Sequence, residues 1–150
     1  MILQGRLFSL VGTLEPRRNG DGAIETHTPQ SRYAKAGSIP LHQYGSGEFC
    51  TFGLPSASKA AGVYVMRIGN DIEYVGEAQS LRNRLYAYGH ISPKNCFVGG
   101  RQTNCRINKL ILSAVHGGQD VQVWFHACDD RKSLEADLLL ALQPPWNRGG

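Results

Sequence analysis

The sequence predicts an α+β fold: a small antiparallel β-sheet flanked by helices. Two observations carry this. From Gly62 onward the apolar periodicity runs in the order strand, strand, helix, helix, strand, helix. Before it, residues 1–60 hold only brief apolar or alternating runs separated by Gly, Pro, Asn and Ser, which read as a β/loop-rich N-terminal extension. A chain of 150 residues with 41% apolar composition is large enough for one real core. The expected organisation is therefore an extension over residues 1–60 and a main domain over residues 61–150, with a basic insertion at residues 89–109.

In the extension, Leu7 to Val11, Ile24 to Thr28 and Phe49 to Leu54 are the strand candidates, and the stretch from Arg17 to Gly22 reads as a turn. In the main domain, Val63 to Ile68 and Ile72 to Val75 form a hairpin about Gly69-Asn70-Asp71. A three-residue loop there pairs Ile68 with Ile72 and Met66 with Tyr74, and so places Tyr64 and Tyr74 on one face. Ser80 caps a helix whose Leu81, Leu85 and Tyr88 make one stripe. Asn104 is expected to cap the next, with Ile107, Leu110, Ile111, Ala114 and Val115 as its apolar face and Gly117-Gly118 as its stop. Val121 to Ala127 alternates as a half-buried strand does. The last helix starts near Asp130 or Ser133, carries Leu134, Leu138, Leu139 and Leu142, and ends at Pro144-Pro145.

The net charge of +4 is modest, but its distribution is uneven. Between Ala78 and Gln119 lie Arg82, Arg84, Lys94, Arg101, Arg106 and Lys109 with no Asp or Glu among them. Such a stretch suits a phosphate-facing surface; the alternative is a solvated basic helix face. Cys50, Cys96, Cys105 and Cys128 form no CxxC pair and read as reduced and structural. His90, His116 and His126 have no ligand spacing. No apolar run reaches the roughly 18 residues of a membrane span, and Met1 to Arg6 lack a secretory segment, so a soluble cytoplasmic protein is expected, with no membrane partner.

Glu135 lies three, four and seven positions before Leu138, Leu139 and Leu142, on the border of the apolar stripe. A carboxylate there either pairs with a cation or metal, or answers the helix dipole from the first turn; position alone leaves both readings open. Tyr64 and Tyr74 taken singly are ordinary strand tyrosines, and Arg84 taken singly is a surface arginine.

The combination is more specific. Gly62-Val63-Tyr64, then Tyr74-Val75-Gly76 ten residues on, Arg84 ten further, Glu135 on a helix and Asn147 in Pro144-Pro145-Trp146-Asn147 together resemble the signature of the GIY-YIG nuclease superfamily. The resemblance covers residues 62–147, with Val63 and Val75 in place of isoleucines. It implies a DNA endonuclease whose catalytic residues are Tyr64, Tyr74, Arg84, Tyr88, Glu135 and Asn147. Glu135 is similar to the family's metal ligand, for one Mg²⁺ or Mn²⁺ per active site and no small-molecule cofactor. Tyr64 matches the tyrosine that acts as general base or positions the water, a role for which a phenol with a pKa of about 10 needs a nearby cation. Arg84 supplies a guanidinium for phosphate oxygens, Tyr74 and Tyr88 bond phosphate or water, and Asn147 buttresses the site.

Arg82, Lys94, Arg101, Asn104, Arg106, Asn108 and Lys109 are the candidate DNA-binding residues, since arginine suits guanine and asparagine suits adenine in the major groove. The alternative for this segment is structural, with Asn104 a cap and Cys105 packed beneath it. The expected partner is double-stranded DNA, and a restriction-type enzyme cutting both strands calls for a homodimer on DNA. A nicking or structure-specific nuclease and a non-catalytic DNA-binding module are the competing readings; the complete set of site residues argues against the last.

Overall fold

The computed structural model describes residues 1–148 and is α+β, with antiparallel sheets and three α-helices. The strands are β1 (Ile2–Leu3), β2 (Arg6–Leu7), β3 (Ser9–Leu14), β4 (Thr26–His27), β5 (Phe49–Cys50), β6 (Gly62–Ile68), β7 (Asp71–Ala78) and β8 (Val121–Ala127). The helices are α1 (Leu81–Gly89), α2 (Gln102–His116) and α3 (Arg131–Leu142). The main sheet has four strands in the order β3-β8-β6-β7, and β1-β2 and β4-β5 are two-stranded ribbons.

β6 is a central strand, and its segment from Gly62 to Met66 is buried on both faces, which explains why it reads as a continuous apolar run. Tyr64, Met66 and Tyr74 face a core closed by Leu81, Leu85 and Tyr88 of α1 and Ile107 and Ile111 of α2. Val63, Val65 and Val75 face the opposite core, closed by Leu134 and Leu138 of α3 and by Phe8. The sheet is thus sandwiched between α1 and α2 on one side and α3 on the other. No helix among the described residues is long and apolar enough to cross a membrane.

Several expectations need correction. Residues 1–60 contribute a strand to the main sheet, since β3 pairs antiparallel with β8. The hairpin turns at Gly69-Asn70 alone: Ile68 pairs with Asp71 and Arg67 with Ile72, not Ile68 with Ile72. A bulge at Glu73 then restores Met66 opposite Tyr74, so both tyrosines still share a face. Ser80 caps α1 as expected, its Oγ accepting from the Asn83 N–H. Helix α2, however, starts at Gln102, so Asn104 is inside it rather than its cap. The insertion is accordingly shorter than residues 89–109, since its second half belongs to a core helix.

What remains of the insertion folds against the N-terminal region. Ile91, Cys96 and Phe97 pack with Phe49 and Cys105, and with Tyr33, Ile39 and Tyr44 at the margin. Buried His42 accepts from the Tyr44 N–H at Nδ1 and so donates from Nε2 to the Asn95 carbonyl. All four cysteines are free thiols.

Candidate active site

Three phenols meet at the mouth of the α1/α2 face. Tyr64 comes from β6, Tyr74 from β7 and Tyr88 from α1, with ring centroids 6.1 to 6.4 Å apart. The Tyr64 and Tyr88 hydroxyls are 2.6 Å apart, and those of Tyr74 and Tyr88 3.4 Å. Both tripeptide glycines are sterically required here. A Cβ on Gly76 would lie 2.4 Å from the Tyr64 hydroxyl and ring, and one on Gly62 2.2 Å from the His126 carbonyl. Burial drives the Tyr64 hydroxyl pKa well above its ordinary value, the neighbouring Tyr88 and Tyr74 add to this, and Arg84 opposes it. Tyr74 is raised for the same main reason.

Glu135 reaches this cluster from the other layer, which is possible because β7 is an edge strand and Gly76 has no side chain to intervene. The outward backbone groups of β7 are taken up by side chains. Asn147 Oδ1 accepts from the Val75 N–H and its Nδ2 donates to the Val75 carbonyl, both at 2.9 Å, as a neighbouring strand would. Two residues along, the Glu77 N–H faces the Glu135 carboxylate and favours its charged form. Burial and the nearby Glu77 carboxylate outweigh that and raise the Glu135 pKa, with Arg84 again opposing.

Glu77 is the site residue that sequence reasoning missed. Its place directly after Tyr74-Val75-Gly76 was the available signal, since a residue following Gly76 on an edge strand stays beside the site. Glu77 Oε2 accepts from Arg131 Nε at 2.6 Å in a half-buried ion pair, so its charge is already matched. Neither ion pair among the described residues uses Arg84.

Tyr64, Tyr74, Arg84, Tyr88, Glu77 and Glu135 line one cleft of about 410 Å³, closed on its far side by residues 100–104. An adjoining hollow of about 650 Å³ shares Glu77, Arg84, Arg101 and Asn104 with it and adds Arg131 and Lys132. Asn147 is outside the cleft and holds its β7 wall.

The candidate DNA-binding residues divide. Exposed Arg101 and nearly buried Asn104 border the cleft, and Lys94 is exposed on the insertion. Arg106 donates to the Trp146 carbonyl and ties α2 to the C-terminal turn. Arg82 Nε donates to the Ala57 carbonyl, and Lys109 stacks its ammonium 4.2 Å from the Phe49 ring centre. Asn108 is fully buried and its bonds are made within the protein: its amide accepts from the Cys50 N–H and donates to the Cys50 and Tyr88 carbonyls, joining β5, α1 and α2.

Among the described residues there is no group of three or more His, Cys, Asp or Glu side chains placed for a metal ion. The donors in the cleft are instead carboxylate oxygens of the kind a hard cation takes while keeping most of its waters: those of Glu135, which has no ion-pair partner among the described residues, with Glu77 beside it. Those residues fit Mg²⁺ or Mn²⁺. No family model, curated protein or solved structure matches the chain.

Proposed function

We propose that this chain is a divalent-metal-dependent DNA endonuclease of the GIY-YIG type, acting on double-stranded DNA. The observation that carries the reading is the convergence of Tyr64, Tyr74, Tyr88, Arg84 and Glu135, from four separate elements, on one cleft beside exposed cationic side chains. Glu135 and Arg84 both line the cleft, and neither has an ion-pair partner among the described residues, which leaves both groups for a ligand.

Phosphodiester hydrolysis needs a placed water, a counter-charge for the oxygens that become more negative, and a proton for the leaving group. The unpaired Arg84 guanidinium is the group to clasp two non-bridging phosphate oxygens. Glu135 is the residue to hold the cation, which when bound supplies positive charge to the anionic transition state. Tyr64 and Tyr74 act as neutral phenols at neutral pH, because burial disfavours their ionised forms. In this reading Tyr64 orients the attacking water by hydrogen bonding rather than carrying negative charge, and Tyr88 passes hydrogen bonds between Tyr64 and Tyr74.

The unit formed by the insertion and the N-terminal region, which lines the hollow beside the cleft at Asn95 and Arg101, favours a restriction-type enzyme that selects its substrate. Two copies on DNA would then cut the two strands. The decisive test is cleavage of supercoiled plasmid by the purified chain with Mg²⁺ or Mn²⁺, beside Glu135→Ala. Discrete fragments that disappear in Glu135→Ala are expected; tight DNA binding by both proteins without cleavage would instead favour a binding module.

A further inference from the structure

A second cavity, of about 560 Å³, lies on the outer side of α1 and shares Tyr86 and His90 with the hollow beside the cleft. Its walls are mainly apolar, from Phe52, Leu54 and the loop around them, and its polar groups are few: Glu15, Arg17 and Arg82. Tyr86 and His90, one helical turn apart, stack ring on ring at 3.7 Å and 10°. The His90 Nδ1–H donates to the Tyr86 carbonyl at 3.0 Å, which fixes the imidazole in that stack. Tyr86 is nonetheless 58% exposed, so the stacked pair offers open aromatic surface at the cavity wall. The rear of the cavity is framed by backbone, with the Phe52 N–H donating to the Gly89 carbonyl at 3.2 Å and the Arg17 N–H to the Thr51 carbonyl at 2.8 Å.

From this juxtaposition we infer that the cavity holds one unstacked nucleotide of the bound DNA, its base against the Tyr86–His90 pair and Phe52, beside the cleavage cleft. The pieces match the base and the phosphate of a nucleotide. A flat apolar slot with an exposed aromatic wall takes a base, whose π-face stacks on aromatic side chains whatever its sequence. Arg82 uses only its Nε on the Ala57 carbonyl, which leaves its terminal nitrogens for a phosphate. Glu15 is an acceptor at the wall, which favours a base with an exocyclic amine over thymine. A net cationic rim with a single carboxylate attracts an anionic chain, and the aromatic wall favours one that carries a base with each phosphate over an acidic peptide.

The inference rests on the nuclease reading for the origin of the nucleotide. Its test is fluorescence anisotropy without divalent metal, comparing a duplex that carries one bulged cytosine with the same duplex fully paired. The bulged duplex should bind roughly tenfold tighter or more, the size expected of one base stack. That gain should vanish in Tyr86→Ala and persist in Tyr86→Phe; because Tyr86 is exposed, neither change threatens the core. A bulged thymine should gain less than cytosine, and Glu15→Gln should erase that difference. Equal binding of bulged and paired duplexes, or a gain that survives Tyr86→Ala, overturns the inference. Plasmid cleavage with Mg²⁺ by the same preparation separates the two ideas. Cleavage without bulge preference removes the nucleotide pocket alone, whereas bulge preference without cleavage removes the nuclease reading alone.

Discussion

The phenol of Tyr64 lies directly over Gly76, so close that a single added methyl group would come within 2.4 Å of its hydroxyl and ring. The two strands of the hairpin therefore act as one device: Gly76 in β7 makes room for the ring that β6 delivers, and leaves the strand edge open for Glu135.

Gly76→Ala should displace the Tyr64 ring, because the contact is with a rigid aromatic in a packed layer. Overpacking of this kind costs about 1–3 kcal/mol. Urea denaturation should report that loss, and plasmid cleavage should fall with it even where the variant is fully folded. A variant with wild-type stability and activity would show that the ring is not held where it lies.

Tyr88→Phe should be more harmful than a lost hydroxyl suggests. It strips the buried Tyr64 hydroxyl of its 2.6 Å partner, and a buried polar group left unsatisfied costs about 1–3 kcal/mol. The double variant Tyr64→Phe with Tyr88→Phe removes both hydroxyls and should recover part of that stability while remaining inactive. Thermal unfolding of Tyr64→Phe, Tyr88→Phe and the double variant tests the coupling, and additive losses would contradict it.

Glu135 has a raised pKa in the folded state, so between its unfolded and folded pKa values the native protein binds more protons than the unfolded chain. Its ionisation therefore subtracts stability as pH rises through that window, the reverse of an ion-paired carboxylate. Glu135→Gln should be more stable than the parent at neutral pH, with the difference shrinking as pH falls through that window and gone below the ordinary glutamate range. Mg²⁺ should raise the Tm of the parent and leave Glu135→Gln unmoved. A parent Tm indifferent to Mg²⁺ would count against Glu135 as the cation's ligand.

Asn147→Ala should unseat the C-terminal turn from β7, since one amide serves both backbone groups of Val75. Hydrogen exchange at the Val75 amide should become faster, and cleavage should weaken because Glu135 and Glu77 share that wall. Unchanged protection of Val75 would rule this bracing out.

Arg101→Ala and Asn108→Ala should fail differently. Arg101 is exposed at the cleft, so its loss should weaken DNA binding and reduce the slope of log affinity against log salt by about 1. Asn108 is buried with its bonds made internally, so its loss should lower stability by about 1–3 kcal/mol and leave the salt slope alone. Binding isotherms at several salt concentrations, with a denaturation curve for each variant, distinguish them.

Elements built on local periodicity were legible in the sequence. Val121 to Ala127 is a strand of those limits, Ser80 caps α1, and α3 begins after Asp130, because pleat alternation, a side-chain cap and a leucine stripe are written within a few residues. The shared face of Tyr64 and Tyr74 was legible too, although it is reached through a two-residue turn and a bulge instead of a three-residue loop. Long-range relations were decided by the tertiary structure. Pairing of β3 with β8 joins residues more than a hundred positions apart, and no local pattern encodes which edge a strand will occupy. The same holds for Asn108, polar by composition yet buried because three backbone groups from distant segments satisfy it, and for Glu77, which becomes a site residue only once α3 crosses the β7 edge. Side-chain chemistry is carried by the sequence, but which charges go unmatched is decided by what the fold brings within a few ångströms of them.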